Sequence, residues 1–267
     1  VTIAWPSLVE LLLTQLTSMV DLMMVGQLGA WAITSVGLTT QPKFLLSTMF
    51  NALNVGCMTM VARHRGAGRQ DQAQLILRQS LALNLVLSLV FAVLGFVFAR
   101  PLVLFMGAQD EQTLVGGAQY LQVQMLGLTF LALTTTITNA LRGAGDSKTA
   151  MVYNTLANVV NVGLNYVFIY GRLGMPRLEV VGASLATSLS QGVAFVIALL
   201  AVMDRRQYVH LDFRMGFKPD RQAIGDIVRI GFPSMVEQLC MRAGMIVYAK
   251  TVASLGTLML ACHQVCM

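Results

Sequence analysis

Pro6-Ser7-Leu8-Val9-Glu10 opens the first long apolar run of the chain, and the same stretch returns as Pro233-Ser234-Met235-Val236-Glu237. The match continues at an offset of 227 without a gap. Leu12 meets Leu239, Val20 meets Val247, Val25 meets Val252, and Leu28-Gly29 meets Leu255-Gly256, giving nine identities over the 24 positions from Pro6 to Gly29. A period of that length is far beyond a solenoid repeat. It fits a chain built of two parallel halves, with one half and the opening of the second in hand.

Working outward, charged residues are 11% of the 267, hydrophobic residues are 56%, and the mean hydropathy is +0.68. Soluble domains carry about 25% charge, so this is an integral membrane protein. About 20 apolar residues cross the hydrocarbon as a helix, and seven runs are long enough: 5–26, 41–62, 80–99, 120–141, 151–171, 183–203 and 230–252. None shows the ten-residue alternation of a membrane β-barrel. The first run carries Glu10 and Asp21 and lacks a basic leader and cleavage site, so it does not read as a removable signal peptide. A first residue Val1, and an end just past the second copy of the motif, are expected of a fragment. The expected domains are a six-helix lobe over 1–203, a connector over 204–229, and the first helix of a second lobe over 230–267. Parallel halves of this kind occur among secondary transporters.

A net charge of +6 suggests nucleic acid only when the cations form one patch, and here they sit in particular loops. Twelve fall in three segments: Arg63, Arg65, Arg69 and Arg78; Arg142 and Lys148; Arg205, Arg206, Arg214, Lys218, Arg221 and Arg229. The intervening loops hold four, namely Lys43, Arg100, Arg172 and Arg177. The bias places the three rich loops and the N-terminus in the cytoplasm. Cys57, Cys240, Cys262 and Cys266 have no paired CxxC spacing and read as small buried hydrophobes, not as a disulfide or zinc framework.

Polar residues inside the spans carry the functional signal. Glu10, Thr14, Thr17 and Asp21 are spaced 4, 3 and 4 apart and share one helical face. Asp21 lies about 22 Å along the axis from Pro6, where a carboxylate costs roughly 2.5–3.5 kcal/mol and normally faces a bundle interior or a wet cavity. The fifth span repeats the geometry with Asn154, Asn158, Asn161 and Asn165. Four carboxamides on one face must look at protein or water. They serve either as interhelical hydrogen-bonding glue or as the wall of a cavity opposite Asp21. The second span adds Asn51 and Asn54, the sixth Thr187 and Gln191, and the seventh Glu237; with Glu10, Thr14, Thr17, Asn154 and Asn158 they are expected to line that cavity. Arg-Gly-Ala-Gly turns after the second and fourth spans read as glycine helix caps, since no Lys-Ser/Thr follows as in a P-loop.

These residues resemble the multidrug and toxic compound extrusion (MATE) family. The likeness runs through Pro6, Glu10 and Val20-Asp21 to Val25-Gly26-Gln27-Leu28-Gly29, then Ala62-Arg63-His64-Arg65-Gly66-Ala67-Gly68 and Leu141-Arg142-Gly143-Ala144-Gly145-Asp146. It continues in Asn158, Asn161, Asn165 and Tyr166, Gly182-Ala183-Ser184-Leu185-Ala186-Thr187 and Gly231-Phe232-Pro233. The resemblance implies an all-α integral membrane fold: the six-helix N-terminal lobe of a twelve-helix, two-lobe transporter, plus the seventh helix. It implies a non-enzymatic antiporter in the cytoplasmic membrane. Such a protein exports drugs or organic cations against H⁺ or Na⁺, its partners being small amphipathic substrates and lipid, with a second lobe needed for transport. No cofactor beyond the coupling ion is implied. Asp21 matches the family's first-helix carboxylate, Asn161 a fifth-helix Asn and Thr187 a sixth-helix hydroxyl. Asn165 stands where some members have a second Asp. The cation-coupling set is therefore Asp21, Asn161, Asn165 and Thr187, any Na⁺ being held at Asp21.

The nearest rival is a flippase for lipid-linked saccharides, which needs cations inside its cavity. With Lys43, at the very start of the second span, counted to the preceding loop, the first half shows none deeper in its spans, and Arg242 and Lys250 of the seventh keep that reading open. An inactive half-transporter is the other alternative. A membrane enzyme finds no support in the scattered His64, His210 and His263.

Overall fold

Hydropathy and stripe spacing predict long helices, and the computed structural model, which describes residues 4–108, 110–171, 178–204, 207–211 and 219–266, is helical over most of them. Arg172, Arg177, Arg205, Arg206, Arg214 and Lys218 of the charge count lie outside them. Nine helices are described: α1 (Ala4–Gly26), α2 (Ala30–Gly66), α3 (Gln70–Val97), α4 (Ala99–Phe105), α5 (Glu111–Gly143), α6 (Ser147–Tyr170), α7 (Glu179–Met203), α8 (Arg221–Ala253) and α9 (Thr257–Cys266). Each predicted span lies largely within one of the seven long ones. Helices α1, α2, α3, α5 and α7 are apolar and long enough to cross a membrane. Helices α6 and α8 have the length, and their Asn stripe and charged residues respectively lower their hydropathy.

The second span is longer than expected. It was placed at 41–62, but α2 begins at Ala30 and runs 37 residues through Pro42. Its opening turns look like a loop because Thr34, Ser35, Thr39 and Thr40 are polar. Ser35, Thr39 and Thr40 each donate to a carbonyl three or four residues earlier, at 2.8–2.9 Å, which satisfies a hydroxyl inside a helix without water. Lys43, assigned above to a loop, therefore sits within the helix. Likewise residues 221–229, expected in the connector, form the opening turns of α8, with Ile227 packed against Gly56 of α2.

Helices α2 and α5 form the centre. Half of the apolar window of α2 and 61% of that of α5 are buried, against 17% for α1. They run parallel: Ser35 Oγ donates to the Thr113 carbonyl, and Asn54 Nδ2 to Thr135 Oγ1, at offsets of 78 and 81. Helix α3 packs on both, α7 on α5, and α8 on α2. A buried cluster from Cys57, Val61, Ile76, Leu141 and Tyr153 to Ile227 fills the basic end, and Val25, Ala32, Ile169, Val180 and Ala183 close the other.

Both Arg-Gly-Ala-Gly turns end their helices alike. The Ala67 and Ala144 amides bond back to Arg63 and Ala140 carbonyls, and Gly68 and Gly145 take φ of 69° and 77°. That left-handed geometry is the physical reason for glycine at both places. Cys57 is buried as expected, whereas Cys240, Cys262 and Cys266 are exposed.

Candidate functional site

Helix α1 is an outlying helix. Leu8, Leu11, Leu12, Leu16, Met19 and Met23 are all exposed, so apolar packing does little to hold it. A polar zipper along α6 does that work, and it joins the two stripes read from the sequence. Asn154 Nδ2 donates to Glu10 Oε1 at 2.8 Å, Asn158 Nδ2 to Thr14 Oγ1 at 3.3 Å, and Asn165 Nδ2 to Asp21 Oδ1 at 2.5 Å. All three pairs are 144 residues apart, so α1 and α6 run parallel with three of the four stripe positions bonded in register. Tyr170 caps the ladder by donating to Gln27 Oε1 at 2.9 Å.

The rung at Asp21 is the richest. With its amide nitrogen turned toward the carboxylate, Asn161 donates to Asp21 Oδ2 at 3.0 Å and Oδ1 at 3.1 Å. The opposite orientation would aim a carbonyl at a carboxylate and is disfavoured. The other polar atom of that amide lies 3.4 Å from Thr187 Oγ1 and Ser190 Oγ on α7. Asp21, Asn161, Asn165 and Thr187, the four residues assigned to coupling, therefore converge. Asp21 is half-buried, while Asn161 and Asn165 are buried.

The rest of the expected lining divides. Glu10 is buried and forms an ion pair with Arg142 at 2.7 Å (Nη2 to Oε2) at the basic end of the zipper. Arg142 had been read only as a loop cation. Thr14 is exposed, and Thr17 donates to the Leu13 carbonyl at 2.9 Å. Gln191 on α7 faces Gly127 of α5, with a buried Oε1 that has no hydrogen-bond partner. Asn51 is half-buried on α2. Two placements differ from expectation. Asn54 is 1% exposed in a network between α2, α3 and α5, where its Oδ1 accepts from Asn84 at 3.0 Å and Thr136 at 2.9 Å. Its stripe faces the neighbouring helices because the core there is itself polar. Glu237 is exposed on α8, outside the cluster.

Sequence reasoning missed Tyr120, Gln124, Ser190 and Lys43. Gln124 Nε2 donates to the Tyr120 hydroxyl at 3.3 Å, and both Tyr120 and Lys43 lie within the electrostatic reach of Asp21. No spacing within one helix announces residues that approach from α2 and α5. Toward the far end of the zipper a groove of about 700 Å³ is lined by Met24, Gln27, Val162, Gly163, Tyr166 and Tyr170.

The MatE family's sequence model matches residues 6–167, which take in nearly all of α1, the whole of α2 to α5 and the polar face of α6. The chain belongs to the MATE family. It is 27% identical to the probable multidrug resistance protein NorM of Thermotoga maritima, over 99% of this chain and 56% of that protein. With the probable multidrug resistance protein NorM of Rhizobium meliloti it shares 30% over 92% and 52%. The fold superposes, with a TM-score of 0.84 and 28% identity over 93% of this chain and 56% of the other, on a multidrug resistance MATE family transporter of the MOP superfamily solved inward-facing. The chain spans about half the length of the curated relatives it matches. The matching family is one of multi-pass membrane transporters, in keeping with an all-helical fold whose helices are long and apolar.

Proposed function

We propose that this MATE-family chain supplies the ion-coupling lobe of an exporter of small amphipathic or cationic compounds in the cytoplasmic membrane, with its basic end in the cytoplasm. Asp21 takes up the coupling ion, H⁺ or Na⁺, with Asn161, Asn165 and Thr187 around it, and a second lobe completes the substrate path. The observation that carries this reading is the convergence of α1, α6 and α7 on one half-buried carboxylate well along a membrane helix. A half-buried carboxylate held by the amide donors of Asn161 and Asn165 can exchange a bound cation without unfolding its surroundings. One charge moving through 100 mV supplies about 2.3 kcal/mol, enough for modest accumulation of substrate outside. The multidrug resistance names of the two relatives support the substrate class.

The flippase reading draws on Arg242 and Lys250, but their charged groups lie over the rings of Phe44 at 4.5 Å and Phe105 at 4.2 Å. That stacking argues against a diphosphate-binding role. The test is dye efflux from cells expressing the protein. Asp21→Asn should abolish energy-dependent efflux while leaving membrane expression intact, and unchanged efflux by that variant would refute the coupling role.

A further inference from the structure

Lys43 is the cation that the loop assignment hid. It sits well inside α2, immediately after Pro42, and is half-buried. A lysine inside a membrane helix is costly and usually has a charged or polar partner. Among the described residues no carboxylate lies within ion-pair distance of it.

The helix registers locate it. Helices α2 and α5 run parallel at offsets of 78 to 82, so Lys43 lies level with Gln124, one turn from Tyr120. Helix α5 meets α7 at the same depth, where Ser188 Oγ donates to the Val123 carbonyl at 3.0 Å, and α7 carries Thr187 and Ser190 to Asn161. Lys43 and Asp21 thus approach one polar layer from opposite sides, and each feels the charge of the other. Two amide oxygens of this layer, Gln124 Oε1 and Asn165 Oδ1, are buried and lack a hydrogen-bond partner. They leave acceptors for a ligand that brings donors.

We propose that Lys43 is a substrate-specificity residue: it binds the anionic group of a zwitterionic amphiphile whose ammonium competes with the coupling ion at Asp21. The inference rests on the reading of Asp21 as the coupling site and extends it. A layer holding one carboxylate and one ammonium is nearly neutral, so it offers a simple organic cation little net attraction. A ligand with both charges meets each with its complement, and a carboxylate on an ammonium makes a charge-assisted hydrogen bond.

The test uses two fluorescent probes that differ by one carboxylate: Nε-dansyl-lysine, a zwitterion, and dansylcadaverine, its decarboxylated monocation. Binding to the protein in lipid nanodiscs is read by dansyl emission. The wild type should prefer dansyl-lysine by about tenfold, a modest yield for one charge-assisted bond. Lys43→Gln should bring the ratio to about one while retaining dansylcadaverine binding, which doubles as the check that the variant is folded. Lys43→Arg should restore the preference. A Lys43→Gln protein that keeps the wild-type ratio overturns the proposal, as does the absence of saturable dansyl-lysine binding by the wild type. Asp21→Asn separates the two readings: it should weaken both probes, and if it weakens neither, the ammonium does not meet Asp21 and the proposal is overturned, while loss of energy-dependent efflux in the same variant would still uphold the coupling role.

Discussion

Glu10→Leu should loosen the basic-end half of α1. The substitution strands Arg142, whose side chain is 28% exposed against 12% for Glu10, and removes the acceptor of Asn154. Breaking one side of a fully buried ion pair costs about 3–5 kcal/mol. The partial exposure of Arg142 lets water recover part of this, so we take about 2 kcal/mol. Because the leucines of α1 that could resist are exposed, the loss falls on local detachment of the helix. About 2 kcal/mol corresponds to about a thirtyfold rise in the detached population. Hydrogen exchange of the purified protein reads this directly: amides of residues 8–16 should exchange faster by about that factor, with α3 unchanged as the internal control. Arg142→Met should produce a similar acceleration, and the double variant should fall well short of the summed effects. Unaltered exchange over 8–16, or strictly additive effects, refutes the view that the pair fastens α1.

Two further outcomes test the packing. Asn54→Leu removes three hydrogen bonds and leaves the buried amide of Asn84 with only one of its two acceptors, Thr136 Oγ1; at about 0.6 kcal/mol per bond in a membrane interior it should cost about 2 kcal/mol, seen as a fall in Tm of the detergent-solubilised protein. Gly56→Leu should force α8 away from α2, because any Cβ there would overlap the Ile227 carbonyl; exchange at residues 224–235 should rise, and unchanged protection there would show that the close approach is dispensable.

How much of this was legible in the sequence depends on the range of the signal. The long spans follow from hydropathy, and the stripes of Glu10 to Asp21 and Asn154 to Asn165 follow from helical spacing, because both are properties of one segment. Their in-register union was not legible, since nothing local tells which stripe faces which. The sequence left glue and cavity wall as alternatives, and Asn165 serves both ends: it fastens α1 and touches Asp21. Thr39-Thr40-Gln41-Pro42-Lys43, five consecutive polar or helix-breaking residues, straddles the expected start of the second span at 41, and the charge pattern counts Lys43 with the loop. Back-bonded hydroxyls keep it helical and the packed bundle tolerates Pro42 within it, and this hid Lys43. Asn54 had the right spacing for a lining residue, but the partners that claimed it, Asn84 and Thr136, lie on other helices.

The zipper has one more property. Its two combs have equal tooth spacing, 4, 3 and 4, and so mesh a second way. Sliding α1 by four residues, about 6 Å, sets Thr14 against Asn154, Thr17 against Asn158 and Asp21 against Asn161. Asp21 already touches Asn161 from its present rung, so the stroke begins with a tooth engaged. In the second alignment Glu10 on α1 and Asn165 on α6 are left without a partner, and the salt link of Glu10 to Arg142 acts as the indexing pin that selects the first.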